Sequence, residues 1–162
     1  MKANAGQLRD KRKSSDHKTL EEGSDLLLDF FKLASMQSAA ESGIVPAVVQ
    51  NAETGEVLIL AYVNEEALNQ SLEKQIAVFY STSRKELWIK GATSGDYLDL
   101  VEIRINCEQN SLLYLVKPRA GGVCHTRDSE GHTRKSCYYR KLTETGLSPV
   151  TSGPLPWHDN SK

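Results

Sequence analysis

The sequence predicts an α+β domain, in which a mostly antiparallel β-sheet carries a few helices on one side. Short apolar runs bounded by turn residues recur along the chain, as they do in antiparallel sheets. Residues 98–105 alternate between two sets of side chains, which is the period of a half-buried strand. Two other stretches place apolar residues at helical spacing instead. The chain has 162 residues, which is about one domain's worth.

The first ordered elements are predicted to be a helix and a β-hairpin. Leucine and phenylalanine side chains at helical spacing predict an amphipathic helix over 24–40, and Pro46 prevents it from resuming. Two β-rich runs follow over 47–50 and 56–62. The turn 51–55, which contains a glycine, joins these runs and predicts the hairpin.

A second helix and four more strands are predicted after the hairpin. Asn64 is a suitable N-cap, and the acidic residues Glu65 and Glu66 suit the positive end of a helix dipole. Ala67 and Leu68 begin the apolar stripe of this helix. The further strands are predicted over 76–81, 86–90, 97–106 and 112–117.

The two ends of the chain differ in composition from the rest. Residues 1–23 are polar, carry mixed charges and have no hydrophobic periodicity, which predicts a flexible arm. Residues 143–162 are rich in Thr, Gly, Ser and Pro, which predicts a loose tail. The folded domain is therefore expected to span 24–142.

Charge, hydropathy and cysteine content exclude several classes of protein. A net charge of -1 argues against a nucleic-acid coat protein, which would carry a large basic excess. No apolar run approaches the roughly 18–20 residues that a membrane helix needs, and no secretory h-region is present. Three cysteines form an odd number in a chain without an export signal. We therefore expect reduced thiols, a cytoplasmic location, and neither a membrane nor a nucleic acid as partner.

The cysteines Cys107, Cys124 and Cys137 all lie in the C-terminal half of the chain. They include no close pair of the kind found in structural zinc sites, and three thiolates with an open fourth position suit a catalytic zinc. Three separate core cysteines fit the same spacing equally well, because free cysteine is often buried. His125 and His132 could each be a ligand, a general base or a solvated side chain, and their loop setting favours exposure.

A second polar group lies between two predicted strands. Lys90 is a cation, Thr93 and Ser94 offer hydroxyls, and Gly91 and Gly95 allow close approach to the backbone. Such a loop can bind a phosphate. An ordinary hairpin turn is the alternative, because glycine and serine are common turn residues.

Several motifs occur in an order that resembles the phosphoribosyl-AMP cyclohydrolase family, histidine-biosynthesis enzymes that open a purine ring. The likeness covers about residues 44–142, and it lies in the ordered succession of motifs rather than in any single one. The matching segments are 46–50, 55–68, 79–84, the Trp-x-Lys-Gly-x-Thr-Ser-Gly run at 88–95, Cys107, Cys-His-Thr at 124–126 and Ser-Cys-Tyr-Tyr at 136–139.

The resemblance implies a homodimer with active sites at the subunit interface. It implies a zinc ion held by Cys107, Cys124 and Cys137, with His125 beside it. It also implies a second metal, magnesium, held by three aspartates that alternate around the first of these cysteines.

The reaction implied is hydrolysis of the N1–C6 bond in the adenine ring of phosphoribosyl-AMP, a small nucleotide. Zinc lowers the pKa of bound water to about 7, and His125 is expected to carry a proton to or from the reacting atoms. Trp88 is expected either to pack on the base or to fill the core. The residues expected to bind the substrate are Arg84, Trp88, Lys90, Thr93, Ser94 and Gly95.

The chain departs from the family pattern at two places. Where the family has Asp-Cys-Asp-x-Asp, this chain has Asn106, Cys107, Glu108, Gln109 and Asn110. Magnesium prefers charged oxygen ligands, so a site with one carboxylate and two amides is expected to be weakened or absent. The family also has only a handful of residues between the last two cysteines. This chain has twelve there, which indicates a polar insertion over 128–133.

These departures leave two alternatives to an active cyclohydrolase. One is a divergent zinc-binding relative that acts on another purine nucleotide. The other is a protein that binds a nucleotide without consuming it. The intact cysteines, His125 and loop 90–95 favour the cyclohydrolase.

Overall fold

The computed structural model describes residues 17–25 and 43–150. These residues form two helices, α1 (His17–Glu22) and α2 (Glu65–Lys74), and eight strands. Within the described ranges, no helix is long and apolar enough to cross a membrane. The strands are β1 (Val45–Asn51), β2 (Val57–Val63), β3 (Val78–Ser81), β4 (Glu86–Ile89), β5 (Leu98–Ile105), β6 (Leu112–Pro118), β7 (Arg140–Thr143) and β8 (Gly146–Pro149).

The largest sheet has four strands in the order β2-β1-β6-β5. Its outer pairs are antiparallel, and the central pair, β1 with β6, is parallel with Val49 opposite Tyr114. The strands β3 and β4 form one antiparallel hairpin, and β7 and β8 form another. The predicted α+β fold with mostly antiparallel pairing is therefore confirmed.

One face of the four-stranded sheet forms the core. The central strands β1 and β6 contribute fully buried side chains, among them Val49, Tyr114 and Val116, because every second residue of a strand points to the same face. Phe79 of β3 covers this face, with its ring centroid 5.9 Å from that of Tyr114. Ser71 of α2 is buried at the same place and accepts a hydrogen bond from the Tyr114 hydroxyl at 3.4 Å.

Helix α2 begins and ends as local chemistry predicts. The Asn64 side chain caps its N-terminus by accepting a hydrogen bond from the backbone N–H of Ala67 at 2.8 Å. Gln75 ends it in the left-handed conformation, with φ of 54°. The sequence therefore predicted this helix correctly, as it did the first hairpin and the four following strands to within a few residues.

The structure differs from the predictions at both ends of the chain. His17–Glu22, within the predicted arm, forms a helix, and the β7–β8 hairpin extends from the predicted domain into the predicted tail. Neither element has a periodic apolar stripe. Polar contacts hold α1, so hydrophobic patterning did not reveal it. Of the helix predicted over 24–40, only Ser24 and Asp25 are described, and both lie in a bend, while the rest falls outside the described residues.

Candidate active site

The thiols of Cys124 and Cys137 lie close enough to perturb each other's ionisation, although twelve residues separate them in the sequence. Two backbone attachments bring them together. The N–H groups of Val123 and Cys124 both donate to the carbonyl of Arg134 at 3.0 Å. The N–H of Cys137 donates to the carbonyl of Leu58 on β2 at 2.8 Å, so the thiol pair sits at an edge of the sheet.

The paired thiols perturb one another's ionisation. Hydrogen bonds from Cys137 and from the Thr126 hydroxyl, which lies 3.0 Å from the sulfur, lower the pKa of Cys124 despite its burial. The hydrogen bond to Cys124, together with burial, raises the pKa of Cys137. The interaction therefore favours ionisation of Cys124 over that of Cys137, and both sulfurs are free thiols rather than a disulfide.

Gly122 allows the loop that carries Cys124 to close. A Cβ atom at this position would lie 2.3 Å from the carbonyl oxygen of Thr133 and 2.7 Å from that of Arg134. Both contacts are with backbone, which cannot rotate away as a long side chain can. Only glycine fits there. The neighbouring Gly121 has no atom within 4 Å of the same position.

His125 is exposed, as its loop setting predicted, with 76% of its side chain accessible. Its Nε2 atom lies 2.7 Å from a carboxylate oxygen of Glu21 in helix α1. His132 is also exposed, and it faces the carboxylates of Asp128 and Glu130 at 3.6 and 3.5 Å. These carboxylates belong to the 128–133 segment. An isolated antiparallel β-bridge between Arg127 and Thr133 closes this segment into a turn.

Arg134 joins helix α1 to the thiol pair. Its guanidinium donates to both carboxylate oxygens of Glu22, at 3.0 and 3.1 Å, and to the Thr126 hydroxyl at 2.9 Å. It also stacks 4.1 Å from the centre of the Tyr139 ring. The guanidinium holds the pKa of Glu22 below its ordinary value. Helix α1 is thereby coupled to the loop that carries Cys124.

Loop 90–95 directly follows β4. Lys90 is only 6% exposed, and its charge partly offsets the rise in the pKa of Cys137. Gly91 has φ of 92°, and a Cβ there would lie 2.4 Å from the backbone of residues 96 and 97. Thr93, Ser94 and Gly95 are exposed beyond this turn.

An open cleft of about 420 Å³ lies against loop 90–95. Arg84 lines it and is exposed, with its guanidinium 2.8 Å from the Glu86 carboxylate. Trp88 also lines the cleft, while its ring packs 5.5 Å from Phe79. Trp88 therefore packs against the core, as one expectation required, and it also borders the cleft, where the other expectation placed it against the base. The structure brings five of the six expected substrate-binding residues to this cleft, and Gly95 directly follows them in the chain.

Cys107 lies apart from the other two cysteines. It is exposed in the turn between β5 and β6, whereas Cys124 is buried. Within residues 17–25 and 43–150, no three His, Cys, Asp or Glu side chains of a single copy form a group that could hold a metal. One copy of the chain thus brings together two of the three expected zinc ligands.

The turn around Cys107 uses its own polar side chains. The Asn106 side-chain oxygen accepts hydrogen bonds from the backbone N–H groups of Asn110 and Ser111, at 3.0 and 2.9 Å. The Asn110 side-chain oxygen accepts from the Asn106 amide at 2.8 Å, and its own amide donates to Glu108 at 3.1 Å. Both amide oxygens expected to face magnesium are therefore engaged within the turn.

Comparison with known proteins identifies the family. The sequence profile described as Phosphoribosyl-AMP cyclohydrolase matches residues 59–139. A Caulobacter vibrioides protein named Phosphoribosyl-AMP cyclohydrolase is 47% identical over 120 residues, which cover 74% of this chain and 80% of that protein. The chain belongs to the phosphoribosyl-AMP cyclohydrolase family.

Two further relatives extend this finding. A Haloquadratum walsbyi protein that is also named Phosphoribosyl-AMP cyclohydrolase is 50% identical over 112 residues, covering 69% of this chain and 80% of its own length. The Aquifex aeolicus protein named Histidine biosynthesis bifunctional protein HisIE is 38% identical over 117 residues. This match covers 72% of the present chain and 52% of the bifunctional protein.

The segment matched by the phosphoribosyl-AMP cyclohydrolase profile contains loop 90–95 and all three cysteines. It does not contain helix α1. Sequence reasoning missed Glu21 and Glu22, which contact His125 and Arg134, because they lie in a polar stretch without periodicity. It also missed Thr126 and Arg134, since only their contacts in the fold distinguish them from other loop residues.

Proposed function

We propose that this chain hydrolyses the N1–C6 bond of the adenine ring in phosphoribosyl-AMP, as a step of histidine biosynthesis. The interaction between the thiols of Cys124 and Cys137, in a family-matched segment that also contains loop 90–95, is the observation that carries this proposal. The water oxygen adds to C6, the N1–C6 bond breaks, and a proton reaches N1. The two relatives named as phosphoribosyl-AMP cyclohydrolases support the substrate assignment.

The thiol pair fits a zinc site that a second copy of the chain completes. Cys124 and Cys137 supply two soft ligands from one copy, and the exposed Cys107 is available to a neighbouring copy. Bound zinc would supply a nucleophile at neutral pH by lowering the pKa of water to about 7. The chain's own task at this point is to hold the two sulfurs together and to leave one ligand position open.

His125 is the group best placed to move the proton. It follows Cys124 directly, it is exposed to solvent, and an imidazole can both accept and release a proton near neutral pH. It would take a proton from the attacking water and return it to N1 as that nitrogen departs. No other histidine in the described ranges adjoins the thiol pair in sequence.

The cleft beside loop 90–95 would bind the phosphates of the substrate. Two cations line it, the buried Lys90 and the exposed Arg84. Thr93 and Ser94 present hydroxyls, and Gly95 leaves the backbone accessible. Two cations and two hydroxyls are suitable partners for a phosphate.

The apolar surface around the cysteines supports a homodimer. Val57 and Ile105 are exposed on the four-stranded sheet and line a cleft of about 490 Å³, and Leu60 is exposed on the same strand as Val57. Ile105 is close to Cys107 in sequence, and the exposed Tyr138 adjoins Cys137. A second copy that covered this surface would bury these side chains and bring Cys107 toward the thiol pair of its neighbour. The three free thiols suit the reducing cytoplasm, where we place the enzyme.

Magnesium is proposed to bind weakly or not at all. Glu108 is the single carboxylate of this turn, and it already accepts a hydrogen bond from the Asn110 amide. Magnesium gives up its bound water only for well-placed charged oxygens, so these residues are poor ligands for it. The same turn favours the second candidate function, in which a divergent zinc-binding relative acts on, or only binds, another purine nucleotide. A cyclohydrolase whose activity requires added magnesium would contradict the weak-site proposal.

Metal analysis combined with a turnover assay tests the proposed function. The purified protein should contain zinc, and it should convert phosphoribosyl-AMP with a change in ultraviolet absorbance, with or without added magnesium. Cys124→Ser and Cys107→Ser should each abolish turnover. Binding without product formation would favour the second candidate, and full activity in either variant would refute the zinc site.

Mixing the two inactive variants tests whether the site is shared. After subunit exchange, a Cys107→Ser copy and a Cys124→Ser copy together contain one intact site per mixed dimer. A symmetric dimer should therefore recover about a quarter of the wild-type activity. A mixture that stays inactive after exchange would show that the three cysteines do not come from two copies.

A further inference from the structure

Helix α1 lies against the loop that carries Cys124 and His125, and side chains that donate to its backbone carbonyls hold it there. The Tyr139 hydroxyl donates to the carbonyl of Glu21 at 2.6 Å. Arg140 donates to the carbonyls of Leu20 and Gly23, at 2.9 and 2.8 Å. The position of this short helix is therefore set by β7 and the residue before it, rather than by an apolar stripe.

The two adjacent carboxylates of α1 contact different partners. Glu22 forms the two-oxygen contact with Arg134, which attaches the helix to the loop. Glu21 instead reaches the Nε2 atom of His125 at 2.7 Å, and its side chain is 32% exposed against 76% for the imidazole. An isolated contact between exposed side chains would hold neither group firmly. Here the backbone on both sides of Glu21 is already held, so less freedom is lost when the contact forms.

We propose that Glu21 is a positioning residue for His125. This inference rests on the proposed function, in which His125 moves the proton. An ionised carboxylate only accepts hydrogen bonds, so the hydrogen of a neutral imidazole must lie on Nε2 when Glu21 binds it. The lone pair is then on Nδ1, which becomes the nitrogen that can accept a proton from water. Glu21 thus fixes both the tautomer and the direction of the ring.

Helix α1 lies outside the family-matched segment, which begins at residue 59. The positioning contact is thereby supplied by a part of this chain that the family comparison does not cover. Truncation before residue 23 would remove Glu21 from a chain that still contains both cysteines of the pair and loop 90–95.

A double-mutant cycle on kcat provides the first test. Removing a group that orients a reacting imidazole should lower kcat about tenfold with a small change in KM, by analogy with the outer partners of metal-ligating histidines. Glu21→Ala should show this loss, and Glu21→Gln a smaller one, because its amide oxygen can still accept. In a His125→Ala background, Glu21→Ala should cost nothing further. Equal losses in both backgrounds would overturn the proposal.

Glu22→Ala is the matched control, because it removes the neighbouring carboxylate without touching His125. It should lower the melting temperature, and any loss of kcat should be the same with and without His125. A Glu22→Ala variant that lowers kcat only when His125 is present would show that attachment of the helix, and not Glu21 itself, is what matters.

Nitrogen-15 NMR of the His125 ring separates this proposal from the proposed function. At a pH where the imidazole is neutral, the wild-type spectrum should show the ring hydrogen on Nε2, retained in Glu22→Ala and replaced by a mixture of tautomers in Glu21→Ala. An unchanged spectrum in Glu21→Ala would overturn the positioning role whatever the activity. If the wild type does not turn over phosphoribosyl-AMP, the proposed function fails, while the spectra still decide whether Glu21 orients the ring.

Discussion

Replacing Gly122 by alanine should open the loop that pairs Cys124 with Cys137. The added Cβ would lie 2.3 Å from the Thr133 carbonyl oxygen and 2.7 Å from that of Arg134, so the two chain segments must move apart. The Arg134 carbonyl also accepts the hydrogen bonds of Val123 and Cys124, both at 3.0 Å. Separation of the segments therefore breaks the contacts that place the buried thiol.

The expected cost follows from these two hydrogen bonds. Each backbone hydrogen bond contributes about 0.5–1.5 kcal/mol, so the loss of both lowers the free energy of unfolding by about 2 kcal/mol. In a chain of this length, that corresponds to a melting temperature lower by about 4–8 °C. Since Cys124 then loses its place beside Cys137, the proposed function predicts that zinc affinity and turnover fall about tenfold or more.

Gly121→Ala is the control for this experiment, because no atom lies within 4 Å of the Cβ that it adds. It changes the same residue type one position away and should leave the melting temperature and zinc content within error of the wild type. Calorimetry and metal analysis on the three proteins make the comparison. If Gly122→Ala melts and binds zinc like Gly121→Ala, the close approach of the two segments does not organise the site.

Two predictions concern the scaffold behind the site, and denaturant unfolding checks both. Ser71→Ala should lower the free energy of unfolding by about 1–3 kcal/mol, because the buried backbone N–H of Val78, which donates to the Ser71 hydroxyl at 3.0 Å, loses its partner. An unchanged midpoint would show that this N–H finds another acceptor. Asn64→Ala should cost about 1 kcal/mol by removing the cap on the Ala67 N–H, and Asn64→Asp, which keeps an acceptor there, should cost less.

The sequence predicted the elements whose side chains repeat. The alternation over 98–105 identified β5, and Asn64 followed by two acidic residues identified the start of α2. The first hairpin was visible because two β-rich runs flank a glycine turn. Periodicity does not show which strands become neighbours, so the parallel pairing of β1 with β6 could not be predicted.

The candidate site was predictable by residue type but not by arrangement. The cysteines, His125 and loop 90–95 were found through their order in the chain, which resembles a family. Spacing alone could not separate Cys107, which is exposed in a turn, from the Cys124–Cys137 pair. No pattern in the sequence indicated Glu21, because its contact with His125 depends on a helix that polar contacts hold in place.

Cys124 and His125 are adjacent in the sequence, but their side chains lie in different surroundings. Cys124 is buried, with its sulfur against Thr126 and Cys137, whereas the neighbouring His125 points to solvent and is bound by Glu21. Arg134 connects the two sides, because it holds Thr126 on one and Glu22 on the other. A displacement of Arg134 would therefore disturb both the thiol pair and the imidazole. This coupling explains why the longer segment between the last two cysteines need not loosen the site, since Arg134 lies within that segment and attaches it to helix α1.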